Sequence, residues 1–348
     1  GLLIRTADFA NSRPAQVYQW NLGIQYQLAK NLVFEAAYSG MRGTHLTSRV
    51  NLNQIPFAEA LAGGNFQQNR LFPNVGNQVV MDSSTGNSSY NALNLRLEKR
   101  ISNGLNFLAN YTWSKNLESN GSGGNTSFNQ SGGTTNPLDS WNLTKEKSYA
   151  SLDIPQVFVA SAGYELPFGN GKRFLSQRGV ASAVLGGWQL NGILTLEDGF
   201  PTDIRSSLIP ATNQLFATFN VPNAVPGVSM YLPNAGPNGY FNPAAFSQPG
   251  SVLNVNGVPI ILFGDLARRA GRGPGTKNLD FSLFRNFTIK ERFNLQFRAE
   301  SFNLSNTPAF TLPSANSPAL TIGNPSFGKL NSSSSTGRQT QFGLKLYF

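Results

Sequence analysis

The stretch VYQWNLGIQYQL, from Val17 to Leu28, alternates without a break. Tyr18, Trp20, Leu22, Ile24, Tyr26 and Leu28 share one parity; Gln19, Asn21, Gly23, Gln25 and Gln27 share the other. Successive side chains of a strand point to opposite sides of a sheet, so period two marks a strand whose faces meet different surroundings. About nine segments of the 348-residue chain carry this pattern. LVFEAAYS follows the first after only Ala29–Asn31, so the two read as a hairpin. YNALNLRLEKR, LNFLANYTWSK, VFVASAGYEL, GWQLNGILTLE, NLDFSLFRNF, FNLQFRAESF and the closing QTQFGLKLYF continue the series.

Charge obeys the same parity. Glu35, Arg96, Glu98, Asp280, Arg298, Glu300 and Lys345 each sit opposite the main apolar set of their strand. A lipid-facing Arg or Lys at mid-depth costs ~2–4 kcal/mol, whereas a lumen-facing one meets water. The pattern therefore fits lipid on one side of the sheet and water on the other. Lys99, Lys115 and Arg285 break the parity near strand ends, where long side chains are expected to snorkel. Tyr18, Trp20, Tyr111, Trp113, Tyr164, Trp188, Tyr347 and Phe348 lie at strand ends and predict interfacial girdles.

The connections alternate between short and long. AKN, ISNG and TIKER are short, and PFGNGKRFLSQRGVASAV is intermediate. The connections near 40–89, 116–155, 198–277 and 305–337 are long and rich in Gly, Asn, Ser and Pro, and Asn120–Gly133 reads as a flexible loop tip. Soluble domains rarely need several loops of this length. A transmembrane barrel does, with short periplasmic turns and long extracellular loops. A strand of ~11 residues tilted by ~45° covers ~26 Å, matching the apolar band of such barrels. The fold expected is all-β: about nine antiparallel strands, the C-terminal part of a transmembrane barrel. Residues 1–15 would be the tail of another external loop. Gly1 in place of Met, with no signal peptide after it, is expected of a piece of a longer protein.

Composition narrows the chemistry. The net charge is +10, but Lys and Arg are scattered, and the densest cluster, RRAGRG, lies in a Gly/Pro loop. No nucleic-acid module accompanies the charge, so nucleic acid is not an expected partner. The basic balance favours anionic ligands or lipopolysaccharide phosphates. There is no cysteine, hence neither a disulfide framework nor a thiolate metal site. His45, the only histidine, has no nucleophile motif to serve and is expected to be a hydrogen-bonding rim residue. GRGPGTKN lacks the strand-before, helix-after context of a phosphate cradle and reads as turn chemistry. Asp153, Asp198 and Asp203 stand apart in sequence. Neither a catalytic site, nor a metal, nor a cofactor is expected.

Seven stretches resemble the C-terminal half of TonB-dependent outer-membrane receptors, of the Oar-like group that carries a carboxypeptidase-regulatory domain. They are YSGMRGTHL, YNALNLRLEKR, NYTWSKNLES, GGWQLNGILTLEDGFP, RGPGTKNLDFSLFRNF, LQFRAESFNLSNTPAF and GRQTQFGLKLYF, in the family's order. The resemblance implies residence in the outer membrane of a Gram-negative bacterium. It also implies uptake of an external ligand energised through TonB, with residues 1–348 as barrel and the plug and N-terminal strands outside this sequence. Arg96, Glu98, Asp280, Arg298 and Glu300 would then face the lumen, meeting ligand or plug. Phe342, Leu344, Leu346 and Phe348 would form the C-terminal signal read by the barrel-assembly machinery. Outer-membrane lipid, lipopolysaccharide, the protein's own plug and the TonB complex are the partners implied. A barrel that adheres or supports, and moves nothing, is the alternative.

Overall fold

A computed structural model describes residues 3–348 apart from 67, 76–77, 120–136, 178, 210–219, 291–292 and 315–316. The loop tip Asn120–Gly133 thus lies outside the described residues. Nine principal strands follow one another: β1 (Gln16–Ala29), β2 (Leu32–Asn51), β3 (Gln78–Ser102), β4 (Leu105–Glu118), β5 (Gln156–Glu165), β6 (Trp188–Glu197), β7 (Thr276–Lys290), β8 (Phe293–Phe302) and β9 (Gln339–Tyr347). Each runs antiparallel to the next, in one sheet that starts at β1 and ends at β9. The fold is all-β; no helix among the described residues is long and apolar enough to cross a membrane, and a barrel crosses with strands.

Register settles which residues share a face, because residues directly opposite in an antiparallel pair do so. Glu35 lies opposite Arg96, Arg96 opposite Asn110, and the row continues through Val159 and Thr195 to Asn278. Two rows further along the same face, Ser282 lies opposite Glu300, and Glu300 opposite Gln341. Tracing every pair puts Glu35, Arg96, Glu98, Asp280, Arg298, Glu300 and Lys345 on one continuous face. The other face carries Trp20, Leu22, Leu93, Leu95, Phe281, Leu283, Phe297, Phe342 and Leu344. Tyr347 corrects the girdle expectation. It stands opposite Asn294 on the polar face, with the Lys345 ammonium 4.7 Å from its ring centre.

Local chemistry explains the turns. Asn103 and Gly104 join β3 to β4 with φ of 50° and 79°, the pair of positive values a type I′ hairpin needs. Gly40 has a different role: Trp20 lies opposite it, and a Cβ there would collide with the indole ring. An aromatic laid across a strand glycine restores the packing that the missing side chain would supply.

Two strands run far beyond the length that crosses a bilayer. β2 has 20 residues and β3 has 25, against the ~9–11 that cross a bilayer. Their upper parts therefore stand clear of the membrane, where Leu3–Ala7 pairs in parallel with Gln78–Asp82. His45 consequently lies within β2, not past its end. It occupies a register break with φ of 55°, and its Nδ1 is buried with no hydrogen-bond partner among the described residues.

The main apolar core is not in the sheet. Leu138, Ile204, Val221, Phe241, Phe246, Leu266, Leu320 and Phe327 pack together with no residue of the nine strands among them. A smaller cluster joins Ile55, Ala60 and Ile260. Stretches that read as plain loops thus condense into a packed cap at one end of the sheet.

Candidate functional site

The polar face holds side chains in short hydrogen bonds. Arg96 donates to Glu98 at 2.7 Å, and the pair is half exposed. Arg298 donates to Gln296 at 2.5 Å and covers the Phe284 ring at 4.9 Å. Glu300 accepts from Gln341 of β9 at 2.7 Å. Arg298 and Glu300 therefore share a face, as their spacing predicts, and bond to different partners. Asp280 has a local role: it accepts from the backbone N–H of Asn303 at 2.8 Å, fixing the chain where it leaves β8 with φ of 49°. On the apolar face, Phe342 stacks on Phe297 with ring centres 6.4 Å apart, and Leu344, Leu346 and Phe348 are exposed.

Above this face the cap is pinned by three arginines, all from RRAGRG. Arg268 is 3 % exposed. It grips Asp203 through two hydrogen bonds, of 3.0 and 3.1 Å, and donates to Glu146 as well. Arg269 donates to Glu118 at the end of β4 and, at 2.8 Å, to the Tyr149 carbonyl. Its own N–H donates to Asp203 at 2.7 Å. Arg272 reaches the Asp153 carboxylate at 2.6 Å, the Asp153 carbonyl at 2.8 Å and the Gly199 carbonyl at 2.7 Å. Asp153 in turn accepts from Asn116 N–H at 2.6 Å. Four separate stretches are thus tied at the mouth of the sheet: the end of β4, residues 146–153, residues 199–203 and the arginine segment itself.

Electrostatics follow from burial. Burial pushes the Asp203 carboxyl up, but the Arg268 and Arg269 charges and their hydrogen bonds outweigh it and hold the group below the usual carboxylate range. Burial dominates at Glu146 and raises it against the pull of Arg268. Arg268, held between the two acids, is raised despite its own burial. A buried ion pair persists only when its hydrogen bonds are met, because desolvation otherwise exceeds the attraction. Here guanidinium, carboxylate and carbonyl groups meet each other closely. The densest basic cluster is therefore enclosed among carboxylates and is not displayed to solvent phosphates.

Sequence reasoning missed this junction. Asp153 and Asp203 looked isolated because their partners lie 119 and 65 residues away. The one available signal was the Gly/Pro-rich flank. A Cβ on Gly275 would overlap the Glu197 carbonyl, and one on Gly199 would overlap the Gly273 carbonyl. Those glycines allow the descending loop to touch the end of β6, which is the turn chemistry expected of GRGPGTKN.

The chain is similar over most of its length to solved outer-membrane transporters. They include the copper transporter OprC (10 % identity, TM-score 0.39, 98 % of this chain and 32 % of that one). YddB from Escherichia coli matches at 7 % identity and a TM-score of 0.41, over 97 % of this chain and 33 % of that one. The toluene transporter TodX of Pseudomonas putida matches at 9 % identity and a TM-score of 0.23, over 83 % and 55 %. The chain thus spans about a third of the length of the first two. No curated protein matches the sequence. The model of the outer membrane beta barrel domain family matches residues 5–341. That match spans nearly the whole two-faced sheet and its loop cap, and the chain belongs to the outer-membrane β-barrel domain family and resides in the outer membrane.

Proposed function

We propose that this chain is the C-terminal part of the barrel of a TonB-dependent receptor of the Oar-like group, which takes up an external ligand. The observation that carries the reading is the continuous polar face from Glu35 through Arg96 and Glu98 to Arg298 and Glu300. Charged side chains across so many strands are stable in a membrane only around a wet interior. Arg96, Glu98, Arg298 and Glu300 then line a lumen, where they meet the plug or the ligand. The outer edges of β1 and β9 have no strand partner among the described residues. Backbone groups in a bilayer must all be paired, so strands outside this sequence complete the barrel. The arginine-pinned cap presents the external binding surface, and no residue takes a catalytic role. On the apolar face, Phe342, Leu344, Leu346 and Phe348 serve as the assembly signal; deleting Phe348 from the full-length protein lowers barrel yield, and unchanged yield contradicts that role.

Crosslinking in cell envelopes tests the coupling. The full-length protein should form an adduct with TonB, and uptake should stop when TonB is deleted. A barrel that forms no adduct and still mediates attachment to surfaces is the adhesion protein instead.

A further inference from the structure

The connection between β5 and β6, residues 166–187, is the longest at the short-turn end of the sheet. It carries Lys172 and Arg173 and no acidic residue; Lys172 donates to Glu165, at the end of β5, at 2.7 Å, which leaves Arg173 to face outward. Within it, Val180–Leu185 form one short helix. Val180 is 82 %, Val184 56 % and Leu185 51 % exposed, and Phe174 and Leu175 are exposed beside them. So many exposed apolar side chains on one small connection call for a covering surface.

The position of this helix identifies the cover. Arg285 lies opposite Trp188 and Phe297, on the apolar face of the sheet. Its guanidinium donates to the carbonyls of Ala183 and Val184, the latter at 2.6 Å. Trp188 Nε1 donates to the same Val184 carbonyl at 3.0 Å. The Arg285 charge also lies 4.2 Å from the Phe287 ring centre and 5.2 Å from that of Trp188. Arg285 therefore does not snorkel, contrary to the expectation from its strand-end position. It is buried, and it holds the carbonyl end of the helix against the outside of the wall. A cation suits that end, where unpaired carbonyls concentrate negative charge.

We propose that residues 166–187 form an interfacial anchor that lies in the periplasmic leaflet. Val180, Val184, Leu185 and Phe174 enter the boundary between headgroups and acyl chains, and Arg173 meets lipid phosphates. The cover is lipid because the helix continues the apolar wall, where Phe287 and Phe293 are also exposed, and because a cationic segment complements anionic headgroups.

These 348 residues contain no cysteine, so a cysteine introduced here is the single labelling site within them. In the full-length protein, V180C and V184C are labelled with an environment-sensitive fluorophore. V255C, in a loop at the opposite end and 75 % exposed, serves as reference. The variants are reconstituted into vesicles of phosphatidylethanolamine and phosphatidylglycerol. A lipid spin-labelled near its headgroup should quench the probes at 180 and 184 by about twofold or more and spare that at 255, while aqueous iodide does the reverse. Probes at 180 and 184 that behave like the one at 255, open to iodide and untouched by the lipid quencher, overturn the proposal.

Discussion

At the scale of single residues, the junction is held by Arg268. Replacing it with Met leaves Glu146 and Asp203 buried without their shared cation, and breaking a buried pair on one side costs ~3–5 kcal/mol. Arg268→Met should lower the thermal unfolding temperature of the detergent-purified protein and open the cap to proteases. Arg13→Gln, at an exposed site, should change stability by less than ~0.5 kcal/mol. Tyrosine supplies a pH signal in the same cap. Burial, with Tyr231 and Asp198 nearby, pushes the Tyr240 phenol up to about 12. A phenol raised above its unfolded value of ~10 stabilises the fold fully below that pH. The stabilisation is lost as pH rises through about 12. Absorbance of the phenolate should therefore show a late-titrating tyrosine whose ionisation accompanies opening of the cap, and Tyr240→Phe should remove that step.

At the scale of elements, the strands were legible and their upper limits were not. Alternation locates β1, β5, β6, β8 and β9 almost to the residue, because a two-faced environment imposes period two on every position. It loses β2 and β3 where they leave the membrane: beyond Gly40 both faces meet protein and water, and the contrast that drives alternation ends. Turns are legible where backbone conformation demands a residue type, as at Asn103–Gly104. Gly104→Val forces a β-branched residue to φ of 79°, costing ~1–2 kcal/mol for a left-handed conformation. It should slow the pairing of β3 with β4, read as delayed appearance of the heat-modifiable, compact form on gels. The helix under Arg285 gave no periodic signal, since six residues are too few to display one.

At the scale of the whole molecule, two kinds of order meet. The sheet is specified locally, strand by strand. The cap is specified by contacts between distant segments, such as Arg269 with Glu118, 151 residues apart. Such contacts leave no period in a sequence, so the cap reads as loop although it holds the main apolar core. The central claim is that one sheet face meets water and the other lipid, and β8 tests it most directly. Single cysteines placed at each position from Asn294 to Glu300 of the full-length protein, in outer-membrane vesicles, are challenged with a water-soluble maleimide. Positions 294, 296, 298 and 300 should react, and positions 295, 297 and 299 should be protected and instead quenched by brominated lipid. Reactivity without a two-residue period, or with the phases exchanged, contradicts the account.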